Sequence, residues 1–142
     1  MDSARDTWDH WSMTAVAGAR TDLQAHRDSI RFPEDELVRE LREILGAKLV
    51  AYLGSVKETR AVRQWADGER RPSADVVQRL RDAYHVAALL RQRDAAPVVQ
   101  AWFMGMNPQL DDVPPARLLR EGRLEDAGPA VLAAARAFAA AG

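Results

Sequence analysis

Apolar residues recur at intervals of three and four along most of this chain, and that spacing restricts it to a helical fold. Leu37, Leu41, Ile44 and Leu45 stand at i, i+4, i+7 and i+8, one stripe of a 3.6-residue helix. Glu34, Asp35 and Glu36 occupy its first turn, where they suit the positive end of the helix dipole, and Gly46 weakens or ends it. Lys48 to Leu53 reads as a second short helix, broken by Gly54-Ser55. A third follows at about Glu58 to Ala66, with Gly68 placed to close it in the left-handed conformation. Asp75 opens a longer helix with Val76, Leu80, Ala83, Ala87 and Leu90 on one side, and Pro97 marks a break or the first turn of the next. Val98, Val99, Trp102, Phe103 and Met106 continue at helical spacing until Gly105 and Asn107-Pro108. Pro114-Pro115 can start a short helix, Ala116 to Glu121, which Gly122 terminates. Gly128-Pro129 then opens a final alanine-rich helix with Val131, Leu132, Ala135 and Phe138. At the other end, Ser3 is placed to cap a helix carrying Trp8, Trp11 and Ala15 on one face. Those tryptophans need a hydrophobic partner, from this chain's own body or from a second copy. Gly18 and Pro33 punctuate that first segment.

With 142 residues and 47% hydrophobic content, the chain can bury one full core or two small packed subdomains. It contains no cysteine, which removes disulfides and thiolate metal sites. His10, His26 and His85 are too scattered to suggest a metal cluster. No 18-residue apolar stretch exists, and the N-terminus lacks the basic-then-apolar order of a signal peptide, so a soluble cytoplasmic protein with no membrane partner is expected. The net charge of −1 gives no case for nucleic acid, but its distribution does. Residues 1–45 carry 6 basic and 10 acidic side chains, residues 57–93 carry 9 and 5, and residues 94–142 carry 4 and 6. Positive potential is concentrated in the middle, where a phosphate backbone can be gripped locally; a solvated helical face with Arg–Asp pairing is the plainer alternative.

Within that basic region the sequence Val62-Arg63-Gln64-Trp65-Ala66-Asp67-Gly68-Glu69-Arg70-Arg71-Pro72 is the most specific signal. A short helix preceded by Gly54 and another short helix suggests a helix-turn-helix. Val62 and Trp65, three apart, face inward and pin the helix. Thr59, Arg60, Arg63 and Gln64 are then left outward, and Arg and Gln can make bidentate contacts to guanine and adenine edges in the major groove. Lys57, Arg70 and Arg71 flank the helix and can hold phosphates, fixing register without reading sequence.

This stretch resembles the Xre-type helix-turn-helix, in which a Val-x-x-Trp recognition helix is followed by a Gly and then a Pro, and the likeness spans roughly residues 36–90. The last third carries a second one. Trp102, then Asn107-Pro108-x-Leu110, then Pro115-Ala116-Arg117-Leu118-Leu119-x-x-Gly122 is similar to the toxin-binding domain of the Xre/MbcA/ParS antitoxins, which follows the helix-turn-helix as it does here. The resemblance implies an antitoxin that neutralises a RES-domain toxin, a class that consumes NAD, and that represses its own promoter. It further implies that the C-terminal end, Arg136 to Gly142, reaches the toxin's active-site cleft. Trp102, Asn107, Arg136, Phe138 and Gly142 are therefore the expected partner-binding residues, although Phe138 also fits ordinary packing against Trp102 or Leu119.

Catalysis needs convergent groups with tuned ionisation. The chain has no Gly-rich phosphate loop, no Ser-His-Asp order and no His-x-x-x-His pair. Asp111-Asp112 resembles a carboxylate pair, but neighbours in sequence do not share a helical face, so a capping role before Pro114 is expected. His85, inside a helix, reads as a partly exposed or satisfied side chain. The expectation is a non-enzyme with no catalytic residue, metal or cofactor. It is an all-α chain divided into an N-terminal helical extension (1–33), an Xre-like helix-turn-helix DNA-binding domain (34–93) and a C-terminal helical interaction domain (94–142). The expected partners are double-stranded DNA and a second copy in a homodimer, with a RES-domain toxin implied by the resemblance. The alternatives are a stand-alone helix-turn-helix regulator with no toxin, and a helical scaffold that does not contact DNA.

Overall fold

The computed structural model describes residues 20–141. Ser3, Trp8, His10, Trp11, Ala15, Gly18 and Gly142 lie outside them. Within the described residues every element is helical: α1 (residues 20–31), α2 (Glu34–Leu45), α3 (Ala47–Leu53), α4 (Thr59–Ala66), α5 (Ala74–Arg91), α6 (Ala96–Met104), a 3-10 turn at Pro108–Leu110, α7 (Pro115–Glu121) and α8 (Leu124–Ala141). None is long and apolar enough to cross a membrane.

The apolar stripes meet in one continuous core. Leu37, Leu41, Val50, Leu53, Val62, Leu80 and Leu90 are buried together with Val99, Phe103, Leu119, Val131 and Ala135, so the same cluster runs from α2 to α8. The long α5 is its axis, packing against α2 on one side and α8 on the other. Nearly half of α5 is therefore buried: Ala83, Val86, Ala87 and Leu90 are among its fully covered positions. Ser73 starts it, its hydroxyl accepting from the Val76 amide at 3.4 Å.

Helix ends leave carbonyls without intrahelical partners, and here side chains from distant helices satisfy them. Arg39 donates to the Ala66 carbonyl at 2.8 Å, closing α4, and Arg79 donates to the Leu53 carbonyl at 3.0 Å, closing α3. Gln100 donates to Ile44 at 2.9 Å at the end of α2. Arg81 donates to both Ser29 and Phe32 at 2.9 Å where α1 ends. Each bond ties one helix terminus to the flank of another. Helix orientation is thereby fixed at the ends as well as through the core.

Two expectations are corrected. The last helix begins at Leu124, and Pro129 lies inside it. Arg123 supplies the first acceptor, taking the Ala127 amide at 2.8 Å, and Glu125 and Asp126 sit at the positive end of the dipole. Gly128 does not open this helix. It sits where α8 packs tightly on α5, since a Cβ there would stand 2.8 Å from Asp82 Oδ2. Asp111 and Asp112 do not cap α7 either. Both adopt positive φ (53° and 66°), and the Asp112 amide turns back to the Asn107 carbonyl at 2.9 Å, while Pro114 holds the N-cap position of α7 and no side chain caps it. The short polar side chain of aspartate tolerates the left-handed region, which suits it to this tight reversal.

Candidate nucleic-acid interface

Helix α4 is short, and its two faces differ completely. Val62 is 0% exposed and Trp65 4%, with Ala61 and Ala66 buried beside them. Thr59, Arg60 and Arg63 are exposed on the other side and Gln64 is half-buried. The anchor is specific, because the Trp65 six-membered ring lies directly over Gly54, at the end of α3: a Cβ on Gly54 would come within 2.7 Å of Cη2 and 2.8 Å of Cζ3. The glycine thus allows α3 and α4 to approach across the five-residue turn 54–58. Beyond α4, Gly68 takes φ +75°, and the Glu69 and Arg70 amides both fold back onto the Gln64 carbonyl, at 2.9 and 3.3 Å. That turn brings Arg70 alongside α4.

Lys57, Arg60, Gln64 and Arg70 consequently line one shallow groove of about 400 Å³. The side chains of Lys57, Arg60 and Arg70 have no hydrogen-bond or ion-pair partner among the described residues. Arg63 does: it reaches Asp67 at 3.3 Å and Glu69 at 3.7 Å. Arg71 pairs with Glu34 of α2 at 3.3 Å. These pairs are solvent-exposed, Arg63 by 51% and Arg71 by 84%, and such surface bridges are worth only about 0–1 kcal/mol. Either guanidinium can exchange its carboxylate for a phosphate or a base edge at small cost. Of the seven residues named from sequence for this face, Lys57, Arg60, Gln64 and Arg70 share this groove and Thr59 lines an adjoining one with Lys57 and Arg60, while Arg63 and Arg71 line neither.

The residues expected to bind a protein partner are not brought together in the same way. Trp102 and Phe138 are, with ring centroids 6.3 Å apart and Phe138 still 42% exposed near the end of α8. Asn107 is buried at 8% and is used internally, its Oδ1 accepting from the Gln109 amide at 2.9 Å to cap the 3-10 turn. Arg136 is held by Asp22 of α1 through two bonds of 2.6 and 3.1 Å. This hydrogen-bonded pairing keeps the Asp22 carboxyl below its usual range and pushes the Arg136 guanidinium up. The same carboxylate accepts from His85 Nε2–H at 3.0 Å, and His26 packs against the His85 ring with centroids 5.1 Å apart. Two histidines that look unrelated in sequence thus share the α1–α5 seam. No group of three or more His, Cys, Asp or Glu able to hold a metal ion occurs among the described residues.

Sequence reasoning missed Arg120. Its guanidinium carbon sits 4.4 Å above the Tyr52 ring, joining α7 to α3 next to the turn that leads into α4. The available signal was a basic residue in the last turn of a short helix, but nothing local places that helix beside α3. Comparison with family models, with curated proteins and with solved structures found no match.

Proposed function

We propose that the chain binds double-stranded DNA by laying α4 in the major groove, and that it acts as a transcriptional repressor. The observation that carries this reading is the division of α4. Val62 and Trp65 fix it to the core, and the side chains left outward, Thr59, Arg60, Arg63 and Gln64, are of types that can read base edges. Lys57, Arg70 and Arg71 flank the helix as phosphate ligands, which supplies the register-setting contacts such a helix needs. A second copy doubles these contacts on a symmetric operator, so the acting species is a homodimer. The resemblance of the last third to antitoxin domains extends the proposal to a RES-domain toxin as protein partner. The exposed Phe138, with Trp102 behind it, offers the apolar contact for that partner.

Fluorescence anisotropy with a duplex from upstream of the protein's own gene tests the DNA reading. Affinity should fall steeply with salt, and replacing Arg60 and Arg63 by alanine should remove sequence preference. Absent or salt-insensitive binding overturns it and leaves a helical adaptor. Co-expression with the protein encoded beside it tests the toxin arm. Lack of both rescue and co-purification leaves a stand-alone regulator.

A further inference from the structure

A second groove adjoins the first, sharing Lys57, Glu58 and Arg60 with it; it is larger, about 820 Å³, and part of its lining lies outside the α3–α4 hairpin. Lys57, Thr59 and Arg60 line it together with Lys48 and Tyr52 of α3 and Arg120 of α7. Four cations stand there against a single carboxylate, Glu58. None of the four side chains has a hydrogen-bond or ion-pair partner among the described residues. Elsewhere many arginines are engaged: Arg117 is tied to Glu121, Arg123 to Glu125 and Arg136 to Asp22, while Arg39, Arg79 and Arg81 cap helix ends.

Arg120 is distinct in how it is held. A guanidinium over an aromatic face is attracted through its flat side, so the tyrosine fixes its position while the N–H donors on its edge stay free. That edge is the geometry that grips phosphate oxygens in pairs. Lys48, from the opposite end of α3, adds a point charge in the same groove.

We infer that Arg120, supported by Tyr52 and assisted by Lys48, is a phosphate clamp for the same DNA duplex whose bases α4 reads, so that the DNA-binding surface extends onto α7. This rests on the DNA reading of α4. It makes the backbone contact composite, drawing on Arg70 and Arg71 after α4 and on Arg120 of α7. A segment that sequence assigns to protein–protein contact then also touches DNA.

Each phosphate contact contributes about 0.9 to the slope of log affinity against log salt, which corresponds to roughly fivefold in affinity at 0.15 M salt. The test is anisotropy with a random-sequence 30-base-pair duplex and with the upstream duplex, from about 0.05 to 0.3 M salt. Arg120→Gln should lower the slope by about 1 and weaken both duplexes by the same factor, leaving sequence preference intact. Arg120→Lys should retain most of the slope, and Arg123→Gln, on a neighbouring but separate surface, should match the unsubstituted protein. Helical circular dichroism and thermal midpoints establish that each variant is folded. An unchanged slope for folded Arg120→Gln, in a protein that still loses sequence preference with Arg60→Ala and Arg63→Ala, overturns the clamp and leaves the α4 reading standing. Absence of any salt-dependent binding by the unsubstituted protein overturns both.

Discussion

Adding one methyl group at Gly54 should loosen the anchor of α4. The Gly54 backbone is right-handed (φ −79°), so alanine meets no conformational strain there. The obstacle is space. The new Cβ would lie 2.7 and 2.8 Å from two Trp65 ring carbons and 3.3 Å from the Val50 carbonyl, where ordinary contacts fall at 3.4–4 Å. The indole must retreat by about 0.7 Å, and it is rigid and 4% exposed. Overpacking of this kind costs about 1–3 kcal/mol, offset by about 0.4–1 kcal/mol because alanine restricts the unfolded chain. The net expectation for Gly54→Ala is a loss of about 1–2 kcal/mol, or a fall in thermal midpoint of roughly 3–8 °C. Urea denaturation measures it as a lower midpoint at unchanged slope. Trp65→Phe removes the outer ring edge, together with an indole N–H that is buried without a partner. In that background Gly54→Ala should be close to neutral, giving a coupling of about 1 kcal/mol or more. Equal losses in both backgrounds, or a stabilising Gly54→Ala, would show that the ring does not press on the glycine and that α4 is positioned some other way.

Three further outcomes follow from the ionisable groups. Asp22→Asn should weaken the tie of α1 to α5 and α8 by about 1 kcal/mol and speed amide exchange in residues 20–31. Because the folded Asp22 carboxyl is held low, its contribution is present above its unfolded value of 3.8 and lost as pH falls through the folded value; unaltered exchange would contradict the tie. Asp82 has the opposite sign: burial against α8 raises it, so its charge opposes folding once pH exceeds 3.8. Asp82→Asn should therefore raise the thermal midpoint at pH 7, with the gain shrinking toward pH 4, and a pH-independent effect would refute this cause. Burial also pushes the Tyr84 hydroxyl up to about 12 from 10.0. Stability should fall by roughly 3 kcal/mol between those pH values in native protein, seen as a tyrosinate absorbance that lags denatured protein, and Tyr84→Phe should flatten the decline.

The direction of each side chain on α4 was legible in the sequence because it is a local property. Once the backbone is helical, 100° per residue sends Val62 and Trp65 to one face and Thr59, Arg60 and Arg63 to the other. The same periodicity identified the inward sets of α2 and α5, and Gly46 and Gly68 marked real turns because both need positive φ. Gly128-Pro129 misled for an equally physical reason. A dipeptide that usually starts or breaks helices was placed within one, where the glycine gives α5 room beside Asp82.

By itself, then, the amino-acid order determined the helical class, most helix boundaries and the inner and outer faces, all of which depend on neighbours three or four residues away. Which cations remain free and which are consumed was decided only by the tertiary structure. Arg136 meets Asp22 across 114 positions, Arg71 meets Glu34 across 37, and Arg120 finds Tyr52 because α7 docks on α3. Such partners are chosen by how helices pack around a common core, and no local period encodes that packing.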